Sequence, residues 1–198
     1  MLSVSTVSPL GIGVMHLSDL ILTVYGNAYI IGRNTFSCFG IPSAILPQTP
    51  PEFAYKVSAK SLPGASATTK IVQAACARHH TVLVGSEGQV WVAGKNDVGQ
   101  CGVPVVKDDK EVSAWTAVKG NWTQDAAKIV QVRYQKRYTL SFVLTFEFDY
   151  KVSCGLNFTL YLADNGWIYA SGSHEKGQLG NGKTSKSMMS RPSRSSRG

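Results

Sequence analysis

Residues Gly177–Thr184, GQLGNGKT, match the pattern of a phosphate-binding loop, G-x-x-x-x-G-K-T. In such a loop the backbone amides hold phosphate oxygens, the lysine neutralises their charge, and a helix follows. However, the first four residues recur as GQCG at Gly99–Gly102, and only fourteen residues, with Pro192 among them, follow Thr184. We therefore interpret the match as the turn of a repeat and predict no cofactor.

The histidines and cysteines suggest a metal site or a catalytic group at first sight, but their spacing supports neither. Cys76, His79 and His80 lie close together, yet no second pair of ligands completes a zinc site. No nucleophile or acidic partner accompanies His79, His80 or His174. The run Lys107–Glu111 is typical of a solvated loop, because it lacks several carboxylates at ligand spacing. We predict no metal ligand, no catalytic residue and no enzymatic activity.

These motifs lie in an internal repeat, which is the main organising feature of the sequence. Residues 74–102 (AACARHHTVLVGSEGQVWVAGKNDVGQCG) align from position 76 onward, without gaps, with residues 152–180 (VSCGLNFTLYLADNGWIYASGSHEKGQLG). A fainter copy near the start keeps the same spacing at Gly26, Gly32 and Gly40. The second and third copies share a structural motif made of Gly88, Gly94, Gly99, Gln100, Gly102, Gly166, Gly172, Gly177, Gln178 and Gly180.

One repeat predicts a small antiparallel sheet. Residues 70–75 and 80–84 are typical of two short strands, and a turn through Gly88 leads into a third strand at residues 89–93. Gly88 and Gly166 suit the positive φ of a hairpin turn. Such a unit cannot bury both of its faces by itself, so the copies must pack side by side.

The repeat resembles that of the regulator of chromosome condensation family. His80-Thr81 matches the histidine–threonine pair usual in that family. The third copy carries most of the likeness, through Cys154-Gly155, Thr159, Asp164-Asn165-Gly166, Ile168-Tyr169, Gly172 and Gly177–Gly180. The resemblance implies an all-β fold, a partial β-propeller of about three four-stranded blades.

The chain departs from the family in the number and the spacing of its repeats. The family usually closes a ring of about seven blades, whereas this sequence has three repeat cores, at about 12–40, 70–102 and 152–180. The third interval is long because of residues 132–151; without them, KIVQ at Lys128–Gln131 joins VSCG, the counterpart of KIVQAAC at Lys70–Cys76. These twenty residues are either a hairpin insertion or translated intron sequence, and we favour the second hypothesis.

The charge is concentrated at the end of the chain. Five cations, Lys183, Lys186, Arg191, Arg194 and Arg197, account for most of the formal net charge of +8. We expect a repeat region at 1–184 and a basic Ser/Arg-rich disordered tail at 185–198. We expect no contact with nucleic acid except through this basic tail. The tail's position directly after the third repeat also fits a truncated form of a longer protein.

No segment predicts export or membrane insertion. The first cation is Arg33, Pro9 and Gly11 interrupt the early apolar stretch, and no apolar run reaches the ~20 residues of a membrane span. Four cysteines without a C-x-x-C pair indicate reduced core thiols. We expect a cytoplasmic or nuclear protein.

The resemblance implies a rigid scaffold that binds protein partners through blade loops or open sheet edges. The alternative is a guanine-nucleotide exchange factor for a small GTPase with chromatin association, since some family members act in this way. Among the tryptophans, Trp91 shares a repeat position with Tyr169, which predicts packing between blades. Trp115 and Trp122 lie between repeats, and we expect them to be the better surface-contact residues.

Overall fold

The structure, a computed structural model, describes residues 9–14, 18–50, 52–107, 109–120, 122, 126, 128–132, 157–173, 175–177, 179–180, 182 and 188–194. Residues 132–151, the predicted insertion, therefore lie outside the described residues except for Val132. The predicted domain and repeat boundaries stay predictions.

The described chain forms three four-stranded antiparallel sheets, each with its strands side by side in chain order. The first sheet contains β1 (Pro9–Val14), β2 (Ser18–Thr23), β3 (Ala28–Gly32) and β4 (Tyr55–Lys56). The second contains β5 (Ile71–Cys76), β6 (His80–Gly85), β7 (Val90–Lys95) and β8 (Glu111–Ala117). The third contains β9 (Ile129–Val132), β10 (Phe158–Ala163), β11 (Ile168–Ser173) and β12 (Met188–Arg194). The prediction of an all-β fold with three four-stranded units is confirmed.

Stacking of the sheets follows from the alternation of side chains along each strand. Four apolar positions on the second and third strands of a sheet point towards the next sheet. In the first sheet they are Leu20, Leu22, Ala28 and Ile30, which share a buried cluster with Leu83, Trp91 and Ala93. In the second sheet they are Val82, Val84, Val90 and Val92, which share a buried cluster with Tyr161, Ala163 and Tyr169. The middle sheet is therefore covered on both faces.

The structure confirms the predicted position of Trp91 but not those of Trp115 and Trp122. Trp91 and Tyr169 are fully buried between sheets, as predicted. The expectation that Trp115 and Trp122 lie on the surface is wrong, because both are only 3% exposed. Trp122 packs against the rings of Tyr161 and Tyr169, at centroid distances of 5.2 and 5.5 Å.

Part of the predicted tail is a strand. Met188–Arg194 forms β12 and pairs antiparallel with β11. The prediction of disorder at 185–198 is therefore wrong for these seven residues. The prediction rested on composition alone. A strand at the edge of a sheet is held by backbone hydrogen bonds, which a Ser- and Arg-rich sequence can make.

The strand register matches the second and third sheets position by position. Gln73 pairs with Val84, and Gln131 pairs with Leu162, so the two KIVQ segments hold the same place in their sheets.

The strands β6 and β7 approach each other closely at Gly94, which has φ 115°. A Cβ at this position would lie 2.5 Å from His80 Cα and would collide with the His79 carbonyl oxygen.

Gly94→Ala is expected to lower the free energy of unfolding by about 3 kcal/mol, because it adds both backbone strain and a steric clash. Gly64→Ala is the matched control: Gly64 also has a positive φ of 76°, but nothing lies within 4 Å of the added Cβ. The control should cost about 1 kcal/mol. Urea unfolding of both variants measures the difference, and equal losses would show that the close approach at Gly94 contributes nothing.

Candidate interaction surface at the loop end of the sheets

Two long connections leave the same end of the first two sheets. Residues 33–54 join β3 to β4, and residues 96–110 join β7 to β8. Because both follow the third strand of an up-and-down sheet, both begin at the end where the first strand turns into the second. We call the exposed parts of these two connections the loop surface.

A buried asparagine holds each connection in shape. Asn34 donates from Nδ2 to the carbonyl oxygens of Ile41 and Leu46, at 2.8 and 2.7 Å, and Asn96 donates to Val103 and Pro104, at 3.2 and 3.3 Å. The Oδ1 of each asparagine also accepts a backbone N–H five residues further on. Both are at most 2% exposed, so these satisfied bonds fix the loop backbone from within.

Ser37 joins the first connection to the start of β8, where the second connection ends. Its hydroxyl donates to Glu111 Oε1 and accepts the Ser43 backbone N–H, both at 2.9 Å. Phe36 and Ser37 have φ 55° and 58°, a conformation that is strained for residues with a side chain. Ser37 occupies the repeat position of Gly99, which has φ 78°. The first copy therefore keeps the glycine backbone but gains a hydroxyl that reaches the second sheet.

A mixed polar and aromatic cluster surrounds this junction. The rings of Phe36 and His79 meet edge to face at 4.9 Å, and Lys95 Nζ lies 5.5 Å from the Phe36 ring centroid. Lys95 also forms a 2.7 Å ion pair with Asp97. Burial lowers the pKa of His79, and the charges of Arg78 and Lys95 lower it further. Burial alone would raise the pKa of Asp97, but hydrogen bonds from Lys95 and Gln100 hold it below its ordinary value. At neutral pH the cluster therefore carries a neutral His79 beside an ion pair.

Large apolar side chains project from these fixed loops. Ile45 is 74% exposed, Phe53 65% and Val106 59%. Scattered apolar residues are normal on a protein surface, but these three all lie on the two connections that form the loop surface. No sequence motif marked them, because a loop side chain is exposed or buried according to the path of the backbone.

The glycines of the predicted repeat motif share one backbone conformation. The eight glycines Gly88, Gly94, Gly99, Gly102, Gly166, Gly172, Gly177 and Gly180 all have positive φ, between 60° and 115°. Gln100 is 1% exposed and closes its own turn: Oε1 accepts the Val98 N–H, and Nε2 donates to Asp97 Oδ1. Gln178 lies outside the described residues. The next described element after the apparent phosphate-binding loop is the strand β12, whereas a phosphate-binding loop leads into a helix.

A buried polar chain links the second and third sheets, and repeat alignment alone did not reveal it. Thr159 Oγ1 donates to the Gln100 carbonyl oxygen at 2.7 Å, so it accepts from His80 Nε2 at 2.9 Å. This arrangement places the imidazole proton on Nε2 and leaves Nδ1, which is buried without a described partner, unprotonated. Burial lowers the pKa of His80 to about 4, with a smaller contribution from His79.

The described residues contain neither a metal-binding cluster nor a membrane-spanning helix. No group of three or more His, Cys, Asp or Glu side chains is placed to hold a metal ion there. No helix in that part of the chain is long and apolar enough to cross a membrane.

Comparison with curated proteins finds relatives whose names refer to RCC1 or RCC2. The chain is 29% identical over 120 residues to protein RCC2 homolog of Danio rerio, covering 61% of this chain and 19% of that protein. It is 26% identical over 168 residues to protein RCC2 of Mus musculus, covering 85% and 25%. It is 29% identical over 114 residues to the RCC1-like G exchanging factor-like protein of Mus musculus, covering 58% and 20%. This chain thus spans a quarter or less of the length of these relatives. No family model matches the sequence.

Solved structures show the same fold. Human WBSCR16 superposes with a TM-score of 0.68 at 21% identity, covering 96% of this chain and 40% of that one. Yeast RCC1 (Prp20), solved bound to Kap60, gives 0.67 at 16% identity, covering 96% and 37%. Prp20p from Saccharomyces cerevisiae, in a study of its binding to Gsp1p and histones, gives 0.65 at 16% identity, covering 96% and 38%.

Three stacked four-stranded sheets with this likeness define a partial β-propeller. The shared glycine motif and the curated relatives support the predicted resemblance to the regulator of chromosome condensation repeat family.

The His80 environment predicts a specific loss of stability in acid. The unfolded imidazole has a pKa near 6.5 and the folded one near 4, so the unfolded state binds more protons between these values. The stabilisation from His80 is therefore complete above pH 6.5 and is lost as the pH falls to about 4. We expect a loss of roughly 3 kcal/mol from this group.

The matched variant is His80→Phe, because Phe158 stands at the same repeat position in the third sheet. Urea unfolding at several pH values between 7 and 4 should show a shallower pH dependence for the variant than for the natural chain. Parallel profiles would contradict the assignment of the neutral, buried His80.

Proposed function

We propose that this chain is a protein-interaction scaffold that binds its partner through the loop surface, and that it catalyses no covalent reaction. The observation that carries the proposal is the exposure of Ile45, Phe53 and Val106 on loops whose backbone is fixed from within. Apolar side chains held in place before binding lose little conformational entropy when a partner covers them. A few well-packed side chains commonly dominate the binding energy at an interface.

The loop surface carries charges of both signs. Arg33, Lys107 and Lys110 are exposed on the two connections, and so are Glu52 and Asp109. Charged groups on an interface affect the rate of association and the choice of partner. The buried thiols Cys38, Cys76 and Cys101, which form no disulfide, support action in the cytoplasm or nucleus.

Site-specific photo-crosslinking tests the location of the interface. We expect a photoreactive residue at Ile45 or Val106 to capture the partner in cells, because both positions lie on the loop surface. The control position is Tyr25, which is 70% exposed but lies in the β2–β3 turn, at the opposite end of the first sheet.

Affinity for the captured partner then tests the energetics. Ile45→Asp should weaken binding by more than about tenfold, because it puts a charge into an apolar contact, and Tyr25→Asp should leave binding unchanged. Capture through position 25 alone, with full affinity in Ile45→Asp, would contradict the proposal.

Guanine-nucleotide exchange is the second candidate function. It is favoured by the likeness to the mouse RCC1-like G exchanging factor-like protein and to Prp20p, whose binding to Gsp1p has been studied. Chromatin association belongs to the same candidate, since Prp20p was studied with histones as well.

Release of fluorescent GDP from a panel of small GTPases separates the two functions. We expect release in the presence of this chain to stay at the intrinsic rate, because a scaffold does not need to distort the nucleotide site of its partner. Acceleration by more than about tenfold, lost in Ile45→Asp, would establish the exchange function instead.

A further inference from the structure

The turn between β10 and β11 contains an Asn-Gly pair, Asn165-Gly166. The backbone nitrogen of the residue after an asparagine can attack the side-chain amide carbon and close a cyclic imide. Here that nitrogen belongs to Gly166, and glycine has no Cβ to shield it. Asp164, Asn165 and Gly166 are all exposed. The turn therefore holds both partners of an intramolecular reaction at the protein surface.

Exposure of Asn165 is a property of the turn itself. Tyr25 and Glu87 hold the same position in the other two hairpins, directly before the turn glycine, and both are exposed. In those two hairpins a lysine at the start of the next sheet packs on the turn glycine, yet it does not cover the residue before that glycine. Asn165 thus meets water whether or not anything packs on Gly166.

Hydrogen bonds hold the reacting groups near each other. Asn165 Oδ1 accepts the Trp167 backbone N–H at 3.1 Å, which folds the side chain back along the Gly166 peptide as an Asx turn. Attack at Cγ puts negative charge on Oδ1, and the Trp167 N–H is placed to stabilise that charge. The Gly166 N–H donates to the Ala163 carbonyl oxygen at 3.0 Å, so this bond must open before the nitrogen can attack.

We propose that Asn165 is a site of spontaneous deamidation in the folded chain. The Gly166 nitrogen loses its proton to hydroxide and bonds to Asn165 Cγ. The Cγ–Nδ2 bond then breaks, and the leaving nitrogen takes a proton from water and departs as ammonia, which leaves the cyclic imide.

Water opens the imide in either of two ways. Cleavage between Cγ and the Gly166 nitrogen gives aspartate at position 165. Cleavage between the main-chain carbonyl carbon of residue 165 and the same nitrogen gives isoaspartate. The net reaction consumes one water and releases one ammonia, and it needs no oxidant or reductant.

Both products change the turn. Each adds a negative charge at neutral pH, next to Asp164, whose Oδ1 accepts the Lys128 backbone N–H at 3.1 Å. Isoaspartate also adds a carbon to the main chain between Ala163 and Trp167, and the Ala163 N–H donates to the Trp167 carbonyl oxygen at 2.9 Å to close the hairpin. Conversion to isoaspartate is therefore expected to loosen this end of the β10–β11 pairing.

Mass spectrometry of tryptic peptides tests the proposal after incubation of the full chain at neutral pH. Cleavage after Lys151 and Lys176 gives residues 152–176, which contain Asn165, and separates them from residues 177–183, which contain the other Asn-Gly pair of the sequence. We expect the amide-to-acid mass change at Asn165, with isoaspartate detected by methylation with a protein isoaspartate methyltransferase. Asn157 lies in the same peptide but precedes phenylalanine, so it should stay unmodified.

The rate in the folded chain, compared with the urea-unfolded chain, decides whether the turn reacts without global unfolding. Only the bond from Gly166 to Ala163 has to open, so the folded chain should react at most about tenfold more slowly than the unfolded one. A reaction that required global unfolding would be slower by more than about a thousandfold in the folded chain. A difference of that size would overturn the proposal.

Two asparagine substitutions separate the chemistry from general effects. Gly166→Asn keeps the positive φ, which asparagine tolerates, but its Cβ crowds the attacking nitrogen. Deamidation of Asn165 should then be at least about tenfold slower. Gly64→Asn adds the same side chain at an open positive-φ glycine and should leave the rate at Asn165 unchanged. Equal rates in Gly166→Asn and the natural chain would contradict attack by the Gly166 nitrogen.

Discussion

Burial of apolar side chains between neighbouring sheets is the interaction on which the rest of the structure depends. A four-stranded sheet of short strands has two faces and too little area to bury either one by folding on itself. In the second sheet, Leu83 and Trp91 face the first sheet, while Val82 and Val84 face the third. In this middle sheet, β6 and β7 therefore pack against a neighbouring sheet on both faces. That arrangement explains why nearly every residue of these two strands is buried.

Polar groups inside this apolar stack fix its geometry. The chain from His80 through Thr159 to the Gln100 carbonyl oxygen crosses from the second sheet to the third with every described bond shorter than 3 Å. A buried polar group without a partner is costly, so a shift of one sheet against the other would break these bonds at a high free-energy cost. The same packing sets the distance between the sheets and hence the distance between the loops that they carry.

Hydrogen bonds from buried side chains hold the loops of the loop surface in place. Asn34 and Asn96 bond to loop carbonyl groups from buried positions, and Ser37 crosses to Glu111 on the next sheet. Ser37 holds a left-handed backbone conformation at a position where the second copy has glycine. The unfavourable backbone energy is tolerated because the hydroxyl makes two hydrogen bonds that a glycine cannot make. The first repeat has therefore diverged at a place where the new side chain bonds to the next sheet and leaves the strands intact.

The sequence by itself determined the elements that depend on local chemistry and on repetition. The spacing of Gly88, Gly94 and Gly102, repeated at Gly166, Gly172 and Gly180, predicted the turns. The short strands between these turns predicted units that must pack side by side. Only the tertiary structure decided the burial of Trp115 and Trp122, the strand at Met188–Arg194, and the contact between His80 and Thr159. These features depend on which segments, far apart in the chain, become neighbours when the sheets stack. Local spacing carries no information about which segments become neighbours. That outcome depends on the apolar area that the stacked sheets can bury and on the backbone hydrogen bonds that an edge strand must make.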